Sequence, residues 1–222
     1  MRIAIEKGYD DIAQILLDSK NFKLDDYVLF NCIKLHEITI PSSVTYIGKY
    51  AFKNCTSLKY LEIPSSVKKI DSEAFQNCAS LYEIIIPSSV TYMGSSAFNG
   101  CSSLSKISLP SSLSFIGSSA FKNCFSLHKV SIPSSLNTIS SFLFNGCSSL
   151  NEIVIPPTIT TIKEYSFADC NSLENVKIPT SVTTIENYAF FQCKKLSDSF
   201  IPSSITFIGE GAFEGTKLKK VE

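Results

Sequence analysis

The feature that most constrains this chain is a 23-residue period that holds without insertion or deletion. Units such as CASLYEIIIPSSVTYMGSSAFNG begin at Cys32, Cys55, Cys78, Cys101, Cys124, Cys147, Cys170 and Cys193 and keep step until Gly215. A unit this short cannot bury its own apolar face, so it must stack on copies of itself. The period therefore predicts one elongated repeat array rather than the one or two ordinary domains that 222 residues would otherwise allow.

Three columns never vary across the eight units. They are Cys, Leu three residues later (Leu35 through Leu196), and Phe twenty residues after Cys (Phe52 through Phe213). Beyond each Leu comes an alternating apolar pair such as Leu61 and Ile63, which places both side chains on one face of a short strand. A proline ends that strand every time, from Pro41 to Pro202, because it cannot donate to a ladder and holds the preceding residue extended. Two hydroxyl residues usually follow and are expected to satisfy the turn locally. Then Val, Leu or Ile (as Val44) and, three residues on, Ile or Met (as Ile47) mark a second short strand. The remainder up to Phe is too short for an α-helix and is expected to form a helical or 3₁₀ turn. Each turn of the coil thus buries about seven side chains at ~1.5–3 kcal/mol apiece, enough to order it only when both neighbours are present.

Eight cysteines in one column argue against the disulfide framework that an even count suggests. Stacked units would place neighbouring thiols ~4.8 Å apart with parallel side chains. A disulfide needs a Cβ separation of roughly 3.8 Å and converging vectors, and a zinc site needs four ligands around one point where a ladder supplies two. The column therefore reads as buried free thiols acting as small apolar groups.

Net charge is zero and only 18% of residues are charged, so the basic footprint of a nucleic-acid or anionic-membrane binder is missing. The apolar runs are too short to insert in a membrane, and Glu6, Lys7, Asp10 and Asp11 interrupt any signal-peptide core. That favours a cytoplasmic protein. His36 and His128, the only histidines, share a column four units apart, about 19 Å at ~4.8 Å per turn. The serines have no histidine and acid to activate them. No catalytic, cofactor or metal site is read, and the chain is expected not to be an enzyme.

The two ends differ from the array. Ala4, Ile5, Ile12, Ile15, Leu16 and Leu17 recur at helical spacing around Gly8, which predicts two short helices within residues 1–20. With Ala4, Gly8, Ile12, Leu16 and Leu17 at their offsets, this segment resembles the second half of an ankyrin repeat. It either caps the array or belongs to a longer protein of ankyrin and leucine-rich units. Residues 21–31 read as a degenerate capping half-repeat, in which Leu24, Val28 and Leu29 fall 23 residues before Ile47, Ala51 and Phe52. The regular repeats span 32–215, and 216–222 is a truncated ninth.

The columns, read as L-x-x-I-x-I-P-S-S-V-T-x-I-G-x-x-A-F-x-x-C-x-S-L, resemble the BspA-type leucine-rich repeat. The resemblance implies a β-rich, right-handed solenoid with a parallel sheet on one face and short strands and 3₁₀ turns on the other. It also implies protein interaction or adhesion to host extracellular matrix proteins, and a cell-surface location as the alternative to the cytoplasm.

Solenoids bind with the variable residues of a repeated face. Two outward columns supply the candidate partner contacts: Tyr60, Glu83, Lys106, Lys129 and Glu152 in one, and Glu62, Ile85, Val154, Lys177 and Phe200 in the other. Tyr60, Ile85, Val154 and Phe200 are the apolar anchors of choice. Ser199, at an inward position of its strand beside Phe200, marks a local weakness or a partner contact. Tyr46, Tyr92, Phe115 and Phe207 form a second stripe that strand propensity explains equally well. The expected function is a protein-interaction scaffold, with an adhesin and a structural spacer that self-associates end to end as alternatives. The thiol reading is checked by alkylation and intact-mass measurement without reductant: all eight cysteines should label after unfolding, and fewer than eight would sink the free-ladder assignment.

Overall fold

A computed structural model describes residues 23–197 and 201–218, and in these the chain winds as a parallel β-solenoid. Thirteen short strands are numbered in chain order: β1 (Tyr46–Ile47), β2 (Tyr60–Glu62), β3 (Lys69–Ile70), β4 (Glu83–Ile85), β5 (Tyr92–Met93), β6 (Lys106–Ser108), β7 (Phe115–Ile116), β8 (Lys129–Ser131), β9 (Thr138–Ile139), β10 (Glu152–Val154), β11 (Thr161–Ile162), β12 (Thr184–Ile185) and β13 (Phe207–Ile208). Every pairing is parallel and offset by one repeat, as in Leu61↔Ile84↔Ile107 and Ile47↔Ile70↔Met93. The pre-proline strands make one five-stranded sheet, β2-β4-β6-β8-β10. Parallel sheets therefore occupy two faces instead of one, because the second strands also pair, as β1-β3-β5-β7 and β9-β11-β12-β13. The helices expected near the N-terminus, Ser199 and Phe200 lie outside the described residues; no helix occurs within them.

The third side of each coil is a run of β-turns rather than the expected 3₁₀ turn. In the unit ending at Cys55, Ala51 donates to Gly48, Lys53 to Tyr50 and Cys55 to Phe52. Two positions per unit, four residues apart, take the left-handed backbone: Tyr50 at φ 62° and Asn54 at φ 64° here, with Glu73 and Asn77, then Ser96 and Gly100, in the following units. Such residues cannot propagate a 3₁₀ helix. The N–H groups between them point along the stack instead, so that Tyr50, Phe52 and Asn54 donate to Ser72, Ala74 and Gln76 of the next coil. Asparagine tolerates the left-handed region and adds its own rung, Asn77 Nδ2 donating to Asn54 Oδ1 and Asn54 Nδ2 to Asn31 Oδ1.

Inside, the Phe column forms an uninterrupted ring stack from Phe52 to Phe213, with centroids 5.0–5.7 Å apart. The core holds one more column than expected. Ala51, Ala74, Ala97, Ala120, Leu143, Ser166, Ala189 and Ala212, each just before Phe, are all buried. The pre-proline pair, Leu and the post-proline Val and Ile complete it.

The eight cysteines are free and buried. They are more than apolar filler. Seven of them, Cys55 to Cys193, donate Sγ–H to a carbonyl 26 residues earlier at 3.1–3.3 Å, for instance Cys101 to Phe75 and Cys124 to Phe98. The hydroxyl pair after proline also works between coils rather than locally. Its second member donates to the apolar residue of the previous coil, as Ser66 to Val44, Ser89 to Val67 and Thr158 to Leu136.

Burial in this apolar column disfavours the thiolate and pushes Cys101, Cys147 and Cys193 up to about 12. A thiol whose folded pKa is raised stabilises the native state fully below its unfolded pKa and loses that contribution as pH rises through the folded value. Urea midpoints should therefore hold up to about pH 8.5, the ordinary thiol range, and fall between there and pH 12. The triple variant Cys101→Ala, Cys147→Ala, Cys193→Ala should show a shallower fall, measured by circular dichroism.

Candidate functional site

The register of the five-stranded sheet brings most of the sequence-predicted contact residues together. Tyr60, Glu83, Lys106, Lys129 and Glu152 stand side by side along one row, and Glu62, Ile85 and Ser108 along the next, with Ser131 beside Val154. Alternation along each strand buries the middle residue and turns the flanking two outward. Ile85 is 59% exposed, Val154 48% and Tyr60 44%. Lys177 is exposed on a coil beyond β10 that carries no strand of this sheet, and Phe200 lies outside the described residues. Lys129 pairs with Glu152 at 2.6 Å in open solvent, where such a pair is worth little. Lys106 has no ion-pair partner among the described residues.

Between β6 and β8 this face is not continuous. Only Lys106↔Lys129 remains paired there, against three pairs between β4 and β6. The preceding rung repeats along the sheet as Tyr82 N–H to Lys59, Ser105 to Tyr82 and Asn151 to His128. Among the described residues His128 N–H and the Ser105 carbonyl do not make it. The second face parts at the same level, since β7 and β9 belong to different sheets. Ser114 and Gly117 donate to Thr91 and Met93 of the coil before. Their equivalents Asn137 and Ser140 make no such main-chain bond; the Ser140 hydroxyl reaches the Ile116 carbonyl instead, at 2.6 Å. The turn side stays closed, with Ser119, Phe121 and Asn123 donating to Ser141, Leu143 and Asn145.

The coil above this parting is the one that places Leu143 in the alanine column. Volume added to a closely packed interior has to be taken up by displacement. Ring centroids are 5.6–5.7 Å apart over the three steps from Phe98 to Phe167, against 5.0–5.3 Å in the other steps. The two parted ladders fall at the step between this coil and the one before it.

At this level lies a cleft of about 680 Å³ lined by Ser105, Lys106, Ile107, Ser108, Leu109, His128, Lys129 and Ser131. Ile107 and Leu109, whose counterparts Leu61, Ile63, Ile84, Ile86, Val130 and Ile132 are buried, are here half-buried and form its apolar floor. Lys106 and Lys129 were legible as outward residues; the cleft between them was not. Two signals could have pointed to it: Leu143 among small residues, and Leu109 in a pre-proline column that is isoleucine in the other seven units. A cluster of His, Cys, Asp or Glu able to hold a metal ion is absent from the described residues.

A three-sided parallel coil with a leucine-containing strand and a variable outer face defines the leucine-rich repeat class. The chain belongs to the BspA type leucine-rich repeat family, whose model matches residues 22–141 and 115–222. That match begins after the N-terminal segment and lends no support to its ankyrin-like reading. Among solved structures, the chain is similar to a leucine-rich repeat protein of T. pallidum, with 33% identity over 68% of this chain and 71% of that one and a TM-score of 0.63. It is similar to a leucine-rich cell surface protein of Faecalibacterium prausnitzii at 25% identity, covering 93% and 80% of the two chains with a TM-score of 0.51. It also shares the fold of the pneumococcal vaccine antigen PcpA, at 24% identity over 92% of this chain and 62% of that one, with a TM-score of 0.60. A comparison with curated proteins gave no match. Leucine-rich repeat proteins typically mediate protein interaction or adhesion and are generally non-enzymatic. Among the described residues no helix is long and apolar enough to cross a membrane.

Hydrogen exchange followed by NMR should find the amides of His128, Asn137 and Ser140 poorly protected and those of Ser105, Ser114 and Gly117, one coil earlier, well protected. The variant Leu143→Ala should raise protection at the first three by about tenfold or more if the leucine parts the coils.

Proposed function

We propose that this protein is a non-enzymatic protein-interaction scaffold that receives its partner on the open face of the five-stranded sheet. The observation that carries this reading is the in-register rows of outward side chains, which set exposed Tyr60, Ile85 and Val154 among Glu62, Glu83, Lys106, Lys129 and Glu152 on one sheet face. Aromatic and aliphatic anchors amid charges are what interface centres use, and a pre-ordered backbone lowers the entropy cost of binding. Lys177, exposed on a coil beyond β10, extends the candidate surface toward the C-terminal coils, and Phe200 stays a candidate by its place in the outward column of the sequence alone.

The second reading, adhesion to an extracellular matrix protein at the cell surface, is favoured by the likeness to a protein described as a cell surface protein. Solid-phase binding to a panel of purified matrix proteins tests it, and no binding above an unrelated repeat protein removes it. For any partner that binds, in that panel or in a two-hybrid screen, the double variant Ile85→Asp, Val154→Asp should weaken affinity at least tenfold with an unchanged circular-dichroism spectrum. Lys68→Glu, on the other strand face, should leave affinity as it is. Equal affinity of both variants with the wild type would overturn the assignment to this face.

A further inference from the structure

Resting on that reading, we propose that the cleft between β6 and β8 is the specificity site of the face, and that it takes an extended acidic segment of a protein partner, with an aliphatic side chain flanked by carboxylates. The chemistry of the cleft selects this occupant over others. Its floor is Ile107 and Leu109, apolar side chains that the neighbouring coils keep buried and that only this parting opens to solvent. An aliphatic side chain seated there would withdraw apolar surface from water on both partners.

Its rim is cationic. Lys106 and Lys129 are register neighbours on adjacent strands, so two like charges share one rim, an arrangement that costs stability in the free protein. Glu152 neutralises Lys129 on its outer side, while Lys106 is left without a partner among the described residues. A carboxylate placed between the two lysines relieves that repulsion, which gives an acidic ligand an advantage that a neutral one lacks. Ser108 and Ser131 offer hydroxyls on the same rim, and His128 a ring nitrogen.

The third observation points to a peptide rather than a small amphiphile. Where the ladder is broken, the Ser105 carbonyl and the His128 N–H lack the main-chain bond that the same positions make in adjoining coils, as Ser105 to Tyr82 and Asn151 to His128. They are an acceptor and a donor suited to an extended backbone crossing the cleft mouth, the way exposed strand edges accept a peptide. The segment's alternation then sets carboxylates toward the lysines and the aliphatic group toward the floor.

The test uses the whole chain and a fluorescein-labelled, terminally blocked peptide of alternating glutamate and leucine, read by fluorescence anisotropy. Saturable binding that weakens as salt is raised is expected, with Kd raised at least tenfold in Lys106→Gln, Lys129→Gln and unchanged in Lys68→Gln. A peptide with lysine in place of glutamate, or serine in place of leucine, should bind at least tenfold more weakly. Equal binding of the control peptides or insensitivity to the lysine pair would overturn the proposal, as would saturable binding of dodecanoate with none of the peptide. So would self-association of the chain, seen by sedimentation, that the lysine pair abolishes. Because Ile85 and Val154 lie outside the cleft lining, the double variant of the preceding section separates the two readings. A lost peptide site with partner binding still dependent on Ile85 and Val154 removes the cleft and leaves the face. Peptide binding by way of the lysines, with a partner indifferent to Ile85 and Val154, keeps the cleft and narrows the face to it.

Discussion

Everything in this molecule depends on each residue lying over its own counterpart in the next coil. A parallel register offset by 23 residues, seen in pairs such as Tyr46↔Lys69 and Glu62↔Ile85, stacks like on like. An apolar column then becomes a continuous core, and a polar one a ladder of repeated bonds. The constraint is strict because the coil rises only one strand spacing per turn, ~4.8 Å, so every column must use side chains of nearly the same size and bonding. Glycine shows how little room there is. A Cβ on Gly94 would sit 2.3 Å from the Ser72 nitrogen, and one on Gly117 2.4 Å from that of Ser95.

The same strictness explains why one side chain can reshape the surface. Leucine among alanines is a small change in composition, yet here it accompanies wider ring spacing, two interrupted ladders and the one level at which Ile107 and Leu109 reach solvent. Ser166, one coil further, shows the opposite misfit: a buried hydroxyl in the alanine column without a hydrogen-bond partner. Such an orphaned group costs ~1–3 kcal/mol. Both departures fall in adjacent coils. The cleft opens beside the first of them.

Much of the fold was legible because it rests on invariant columns. Cys, Leu and Phe at fixed offsets identify the core, proline marks the strand end, and the spacing of eight thiols along one edge excludes their pairing. The outward residues Tyr60, Glu83, Lys106 and Ile85 followed from strand alternation. What could not be read is where polar groups look for partners. The hydroxyl of Ser66 reaches Val44 and the thiol of Cys101 reaches Phe75, bonds 22 and 26 residues long in sequence. Local rules for serine turns and small apolar cysteines point elsewhere. The left-handed tyrosines and phenylalanine at Tyr50, Phe142, Tyr165 and Tyr188 escaped for a similar reason, since an aromatic residue at φ 53–62° is locally unfavourable. Stacking with the equivalent ring in an adjacent coil, at 4.5–4.9 Å, supplies the compensation.

The sequence by itself therefore determined the period, the stacking direction of the core columns and which side chains the strands turn outward, because these follow from repetition and alternation along a single coil. The tertiary structure alone decided that a second parallel sheet forms, that turns rather than 3₁₀ helix close the coil, and that the face carries a cleft between Lys106 and Lys129. Those outcomes depend on the fit of one coil against the next, which alternation and repetition along a single coil do not report.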